Sequence, residues 1–103
     1  MNFQNLNPTE FKAAIRNNKN AVILDVRTPA EIAAGKIDKA IEIDFFDNNF
    51  AEKALALDKS KDYYIYCRSG NRSGQACALM AANGFSNLVN LDGGMMAWEM
   101  VNS

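Results

Sequence analysis

The residues best suited to chemistry form one segment, residues 67–73, which reads Cys67-Arg68-Ser69-Gly70-Asn71-Arg72-Ser73. It follows the apolar run at residues 63–66 and precedes a helix-like run at residues 75–82. Small residues let such a loop fold with several backbone N–H groups pointing inward, which forms an anion-binding nest. The N-terminus of the following helix adds partial positive charge. These features favour the thiolate, so Cys67 is predicted to be a low-pKa nucleophile.

The side chains that follow Cys67 are predicted to bind an anionic substrate. Arg72 is expected in the first helical turn, where a cation is unfavourable by about 0.3–1 kcal/mol. That placement is explained if Arg72 serves an anion. Ser73 is expected to cap the helix, whereas Asn71 fits turn chemistry equally well. The predicted substrate-binding set is Arg68, Ser69, Gly70, Asn71, Arg72 and Ser73.

The chain contains no histidine. This excludes Ser-His-Asp and Cys-His catalysis and most zinc sites, and no metal or cofactor is expected. The second thiol, Cys77, lies among apolar residues of the helical run and is interpreted as core filler. The rise along a helix disfavours a disulfide with Cys67. Two reduced thiols are typical of a cytosolic protein, so a cytoplasmic location is expected.

Length and charge narrow the class of protein. The 103 residues predict a single domain over 1–103. A net charge of −1 argues against a nucleic-acid partner or a polybasic membrane surface. The N-terminal residues lack the basic and apolar regions of a signal peptide. Apolar runs are too short for the roughly 20 residues of a membrane helix. The expected partners are therefore small molecules or other proteins.

Strands and helices are predicted to alternate along the chain. Short apolar runs predict strands at residues 21–26, 41–43, 63–66 and 87–91, and helical patterns fall at residues 8–17, 28–35, 48–57, 71–82 and 94–101. Asn7 and Asp47 are the expected N-caps of the first and third helices. Alternation of this kind predicts an α/β fold, with a mostly parallel central sheet of about four to five strands and helices on both faces. Cys67 would lie at the carboxyl end of a strand, where such folds bind ligands.

Several segments in this order resemble a single-domain rhodanese, a sulfurtransferase family. They cover residues 7–101 and read Val22-Ile23-Leu24-Asp25-Val26-Arg27, Glu31, Gly35-Lys36-Ile37, Tyr66-Cys67-Arg68-Ser69-Gly70-Asn71-Arg72-Ser73, Leu91-Asp92-Gly93-Gly94 and Trp98. The resemblance implies that Cys67 takes a sulfane sulfur from a donor such as thiosulfate and forms a persulfide. Cyanide or a thiol would accept the sulfur, and a thioredoxin-like protein is one candidate acceptor. It also implies a scaffold ion pair near the loop, which we assign to Arg27 and Glu31, one helical turn apart.

The chain departs from the family's usual motifs in two places. Gly35-Lys36-Ile37-Asp38-Lys39-Ala40 stands where Gly-His-Ile-Pro-Gly-Ala is common, so a different turn is expected after Ile37. The loop after Cys67 also differs from the mercaptopyruvate-specific form, Cys-Gly-Ser/Thr-Gly-Val-Thr. That difference makes mercaptopyruvate a less favoured donor.

Three other functions remain open from the sequence. A persulfide carrier that serves a partner protein would have the same motifs as a free-standing enzyme. A phosphatase or arsenate reductase of the same fold class also uses a cysteine loop, but with Cys-x5-Arg spacing, whereas Cys67 and Arg72 are spaced Cys-x4-Arg. The shorter loop favours a single sulfur over a phosphate. A non-catalytic binding module typically lacks the cysteine.

Overall fold

The computed structural model describes residues 2–102. Strands and helices alternate along it, as the apolar pattern predicts. The five strands are β1 Gln4–Leu6, β2 Ala21–Asp25, β3 Ile41–Glu42, β4 Asp62–Tyr66 and β5 Leu88–Leu91. The five helices are α1 Pro8–Arg16, α2 Pro29–Ile32, α3 Phe50–Leu55, α4 Asn71–Ala81 and α5 Gly94–Asn102. No helix in this part of the chain has the length and apolar character needed to cross a bilayer.

The strands form one parallel sheet in the order β1-β5-β4-β2-β3. The predicted α/β class and the four predicted strands are confirmed. Strand β1 is the element that the sequence analysis missed. It has three residues, two of them exposed and polar, so it carries no run of apolar side chains. It forms by pairing with β5 at the sheet edge, and long-range pairing of this kind leaves no local signal.

Helices cover both faces of the sheet, because alternate side chains of the central strands point in opposite directions. Tyr63 and Ile65 of β4 pack in one apolar cluster with residues of α3 and α4. Tyr64 and Tyr66 pack in the other, with Phe11 of α1 and residues of α5. Burial on both faces explains why the β4 segment is a continuous apolar run. It also confirms the predicted helices on both faces.

Side-chain caps fix where the first two helices begin. Asn7 caps α1, since its Oδ1 accepts from the Glu10 N–H at 2.8 Å, as predicted. Thr28 caps α2, which ends at Ile32 rather than near the expected Gly35. For α3 the prediction is wrong, because the helix begins at Phe50 and its N-cap has no side-chain hydrogen bond. The Asp47 carboxylate accepts instead from the Asn49 N–H at 2.8 Å, in a turn before the helix.

A buried network of Asp25, Arg27 and Tyr66 joins the ends of β2 and β4. The fully buried Asp25 carboxylate accepts from Arg27 Nη2 at 2.7 Å and from the Tyr66 hydroxyl at 2.6 Å. The predicted ion pair between Arg27 and Glu31 is therefore wrong. Arg27 reaches only the backbone carbonyl of Glu31, at 3.4 Å, because the buried carboxylate two residues away binds its guanidinium.

The same network holds the segment that departs from the usual family motif. Arg27 Nη2 donates to the Gly35 carbonyl at 2.8 Å, and the Ile37 N–H donates to the Tyr66 hydroxyl at 3.0 Å. The turn after Ile37 closes through the Ala40 N–H, which donates to the Ile37 carbonyl at 3.2 Å. Lys39 in this turn has φ of 70°, a left-handed conformation that favours glycine.

The left-handed conformation of Lys39 leads to a stability prediction. We expect Lys39→Gly to raise the free energy of unfolding by about 0.5–1 kcal/mol, because glycine removes the Cβ strain. Urea unfolding followed by circular dichroism would measure it. Asp38→Gly is the matched control, since Asp38 lies next to Lys39 but does not itself have a positive φ. The control should lower stability through added freedom of the unfolded chain. A loss of stability in Lys39→Gly would contradict the argument.

Candidate active site

The cysteine loop (residues 67–73) connects β4 to α4 and curls around the sulfur of Cys67. The Gly70 N–H donates to Cys67 Sγ at 3.1 Å, and the Ser73 hydroxyl donates to it at 3.3 Å. Gly70 has φ of 104°, which turns the backbone back toward the sulfur before the helix begins. Cys67 itself is fully buried. The loop thus presents polar hydrogens to a sulfur atom that bulk water does not solvate.

Two opposing effects act on the pKa of Cys67. Burial is the larger single effect and acts to raise the pKa, because it disfavours the charged form. The hydroxyl of Ser73 and the backbone N–H groups of Ser73, Gly70 and Ser69 stabilise the thiolate. Together these donors outweigh burial, so the pKa is lowered. The direction agrees with the expectation from the sequence.

Contrary to the expectation from the sequence, Ser73 does not cap α4. The N-cap of α4 is Gly70, and no side chain caps this helix end. Ser73 lies one turn in, fully buried, and directs its hydroxyl at the sulfur of Cys67. The capping prediction is therefore wrong. Ser and Thr are common caps, and only the path of the loop shows that residue 73 faces the thiol.

Arg72 is held by a carboxylate of the protein itself. Its Nη1 and Nη2 lie 2.8 Å from Oε1 and Oε2 of Glu31, and its guanidinium lies 5.5 Å from the ring centre of Phe46. The hydrogen bonds from Arg72 are the main cause that lowers the pKa of Glu31 to about 2. The same hydrogen bonds raise the pKa of Arg72, and the nearby Cys67 and Asp44 add to that effect. Arg72 thus pairs with a carboxylate of the chain, whereas the sequence analysis assigned it to an anionic substrate.

The remaining predicted site residues lie on the outer side of the loop. Arg68 and Ser69 are exposed, and the Asn71 side chain accepts from Gln75 Nε2 at 3.1 Å on the helix surface. Arg68 lines a cavity of about 250 Å³ together with residues of α2 and α5, among them Met96 and Glu99. The structure therefore separates the predicted set into donors around the sulfur and side chains that face solvent.

The second cysteine belongs to the core. Cys77 is fully buried in the apolar cluster beneath α4, and burial raises its pKa to about 12. Both cysteines are free thiols, as expected. Across residues 2–102, no three side chains of His, Cys, Asp or Glu lie close enough to hold a metal ion.

Helix α5 supports the loop from behind. The Met95 N–H donates to the Cys67 carbonyl at 2.8 Å, and the Met96 N–H donates to the Arg68 carbonyl at 3.1 Å. Gly94 allows this approach, because it has φ of 60° and a Cβ there would lie 2.4 Å from the carbonyl carbon of Arg68. The sequence contained the Gly93-Gly94 pair, but only the fold shows that it contacts the cysteine loop.

Asn90 is a further residue that the sequence analysis missed. Its Nδ2 donates to the Gly70 carbonyl at 3.2 Å and to Asn5 Oδ1 at 2.9 Å, so it ties the loop to β5 and β1. Asn90 is buried, and its Oδ1 has no hydrogen-bond partner within residues 2–102. A polar residue inside an apolar strand was the available signal, because burial of an amide is unfavourable without partners.

Comparison with known proteins identifies a family for this chain. The family model described as "Rhodanese-like domain" matches residues 7–100. A sulfurtransferase from Allochromatium vinosum is 38% identical over 84 residues, which cover 82% of this chain and 77% of that protein. The thiosulfate sulfurtransferase GlpE from Pseudomonas putida is 32% identical over 92 residues, covering 89% and 82%. A rhodanese-like domain protein from Staphylococcus aureus superposes with a TM-score of 0.81 at 34% identity, covering 92% and 90% of the chains.

The close approach at Gly94 gives a test of how the loop is supported. We expect Gly94→Ala to lower the free energy of unfolding by about 1–3 kcal/mol, because the added methyl group must displace the loop backbone. It should also raise the pKa of Cys67, since displaced N–H groups stabilise the thiolate less. Urea unfolding and the ultraviolet absorbance of the thiolate would measure the two effects. Gly74→Ala inside α4 is the control and should be neutral or stabilising, because it meets only an ordinary contact.

The hydrogen bond from Ser73 gives a second test. In Ser73→Ala the midpoint of the thiolate titration should move to higher pH, because the hydroxyl is the strongest single stabiliser of the anion. Subtracting the absorbance of Cys67→Ser isolates the signal of Cys67. Ser86→Ala, at an exposed position, should leave the midpoint unchanged. An unchanged midpoint in Ser73→Ala would show that the backbone donors suffice.

Proposed function

The chain belongs to the rhodanese-like domain family, and we propose that it transfers a sulfane sulfur from thiosulfate to a thiophilic acceptor through a persulfide on Cys67. The family match and the sulfurtransferase relatives support a rhodanese-type sulfurtransferase in general. The donor and the covalent intermediate are the proposed part. The observation that carries the proposal is a buried sulfur with a lowered pKa that accepts hydrogen bonds from Gly70 and Ser73.

In the first half-reaction the thiolate of Cys67 attacks the outer sulfur of thiosulfate. A sulfur–sulfur bond forms to Cys67 as the sulfur–sulfur bond of thiosulfate breaks, and its electron pair leaves with sulfite. The total charge of −3 is unchanged, because a thiolate and a dianion become a persulfide anion and sulfite. No proton moves, so the step needs no general base. This suits a chain without histidine.

In the second half-reaction the acceptor attacks the outer sulfur of the persulfide. The bond to Cys67 breaks, and its electron pair restores the thiolate. Cyanide would leave as thiocyanate, and a thiolate acceptor would leave as a persulfide. A thioredoxin-like protein is one candidate for the thiol acceptor. A carrier that passes its persulfide to a partner protein would use the same two steps.

The loop residues have different proposed parts in donor binding. The N–H groups of Ser69, Gly70 and Ser73 would stabilise the charge on sulfur in the thiolate and in the persulfide. Arg68 is exposed at the outer side of the loop and would attract the dianionic donor. Arg72, whose terminal nitrogens bind Glu31, would form part of the loop wall beside the donor, and Asn71 would contribute through the shape of the turn. A cytoplasmic location is part of the proposal and rests on the two reduced thiols.

A phosphatase or arsenate reductase is the second candidate, and two observations disfavour it. The loop has Cys-x4-Arg spacing, which leaves fewer N–H groups around the anion than Cys-x5-Arg does. Both terminal nitrogens of Arg72 are bound to Glu31, so the fork that would grip a tetrahedral oxyanion is already occupied. Activity toward an aryl phosphate is accordingly expected to be negligible.

The decisive experiment is intact-protein mass spectrometry after incubation with thiosulfate. The wild type should gain the mass of one sulfur atom, and cyanide should remove it as thiocyanate. Cys67→Ser should gain nothing, because it lacks the attacking thiolate. Cys77→Ser is the matched control and should keep the modification, since Cys77 is a buried core thiol.

Each alternative function predicts a different result with the same protein variants and substrates. Sulfur transfer by the Cys67→Ser variant would show that Cys67 is not the nucleophile. Efficient hydrolysis of an aryl phosphate without any persulfide would favour the phosphatase. A persulfide that forms but is not released to cyanide or small thiols would favour the carrier.

A further inference from the structure

Both terminal nitrogens of Arg72 bind a single carboxylate. Its two terminal nitrogens each lie 2.8 Å from one oxygen of Glu31, in the bidentate geometry that fixes a guanidinium most firmly. The ring of Phe46 lies against one face of the guanidinium. The Arg72 and Glu31 side chains are 17% and 25% exposed, so water screens the pair only in part. The cation beside the cysteine loop is therefore both immobilised and paired.

Glu31 is itself fixed by a second set of contacts. Its Oε1 also accepts from the Thr28 N–H at 3.0 Å and from the Thr28 hydroxyl at 3.1 Å. These bonds form the capping box of α2, so the carboxylate cannot leave Arg72 by a simple rotation without exposing the end of that helix. The pair thus joins the start of α2 to the start of α4.

We propose that Glu31 is a positioning residue that holds Arg72 beside the cysteine loop and offsets most of its positive charge. One consequence follows if the proposed function holds. The N–H groups and Arg68 then provide most of the attraction for the anionic donor. Arg72 then acts as a rigid part of the loop wall. A persulfide held by neutral donors is released to an acceptor more readily than one held by a full opposite charge.

The charge of Arg72 also interacts with groups other than Glu31. The charges of Cys67 and of Asp44 raise the pKa of Arg72, in addition to the larger effect of its hydrogen bonds with Glu31. Arg68 faces the outer cavity and forms no ion pair within residues 2–102. The second thiol, Cys77, stays neutral over the pH range of the Cys67 titration, because burial raises its pKa to about 12. When the charge of Glu31 is removed, Asp44 offsets the charge of Arg72 only in part, and the remaining positive charge acts on Cys67.

The test is Glu31→Gln, which keeps an oxygen to accept from Thr28 but removes the charge. The thiolate midpoint of Cys67 should move to lower pH, because the freed charge of Arg72 stabilises the anion. The KM for thiosulfate should fall about two- to fivefold, the range that a partly screened charge produces. Glu42→Gln is the matched control, since Glu42 pairs with Lys36 on the surface and should change neither quantity.

The double variant Glu31→Gln/Arg72→Gln separates this proposal from direct binding of the donor by Arg72. With both charges removed, the thiolate midpoint should return close to the wild-type value, whereas Arg72→Gln alone should raise it. A double variant whose midpoint stays as high as that of Arg72→Gln would overturn the proposal. So would a midpoint in folded Glu31→Gln that is unchanged or higher.

The titration of Cys67 requires no sulfur transfer. Failure of the positioning proposal can therefore be distinguished from failure of the proposed function. If thiosulfate leaves no persulfide, the proposed function is wrong, yet the midpoints still measure the effect of Glu31 on Cys67. If the persulfide forms and the midpoints do not respond to Glu31, only the positioning proposal is wrong. Circular dichroism of each variant checks that it is folded, and the double variant supplies the test even if Glu31→Gln alone does not fold.

Discussion

Hydrogen bonds to the sulfur of Cys67 are the interaction on which the other features of the site depend. A buried thiol normally has a raised pKa, because ionisation without solvent is unfavourable. Here the Gly70 N–H and the Ser73 hydroxyl, with neighbouring backbone N–H groups, reverse that effect. These donors are neutral and fixed by the fold, and they lower the pKa of Cys67 in a chain that contains no histidine.

Keeping the donors in place requires support from three directions. Helix α5 binds the carbonyls of Cys67 and Arg68 from behind, at distances that only a residue without a Cβ at position 94 allows. The Asn90 amide holds the Gly70 carbonyl from the side of β5. The pair of Arg72 and Glu31 joins the front of the loop to α2. The site is thus assembled from elements that are distant in the chain, which is typical of the carboxyl end of a parallel sheet.

Several particulars of the site could be predicted from the sequence. The position of Cys67 after an apolar strand, the small residues behind it and the following helix identified the loop and the α/β class. The core place of Cys77 also followed from its apolar neighbours. The roles of Ser73 and Arg27 were mispredicted, since each residue has several ordinary partners and the sequence does not show which is near. Strand β1 was missed because its three residues carry no apolar pattern and depend on β5 for their hydrogen bonds.

The sequence by itself determined four of the five strands, the alternation of strands and helices and the place of Cys67 at the end of a strand, because these follow from local patterns of apolar and small residues. Only the tertiary structure decided which charges are paired. Glu31 and Arg72 are 41 positions apart, and no local pattern shows that their side chains meet. Asp25 and Arg27 are two positions apart, but their pairing depends on burial beside Tyr66 of another strand. Electrostatic partners are set by distance in space, which is a property of the folded chain.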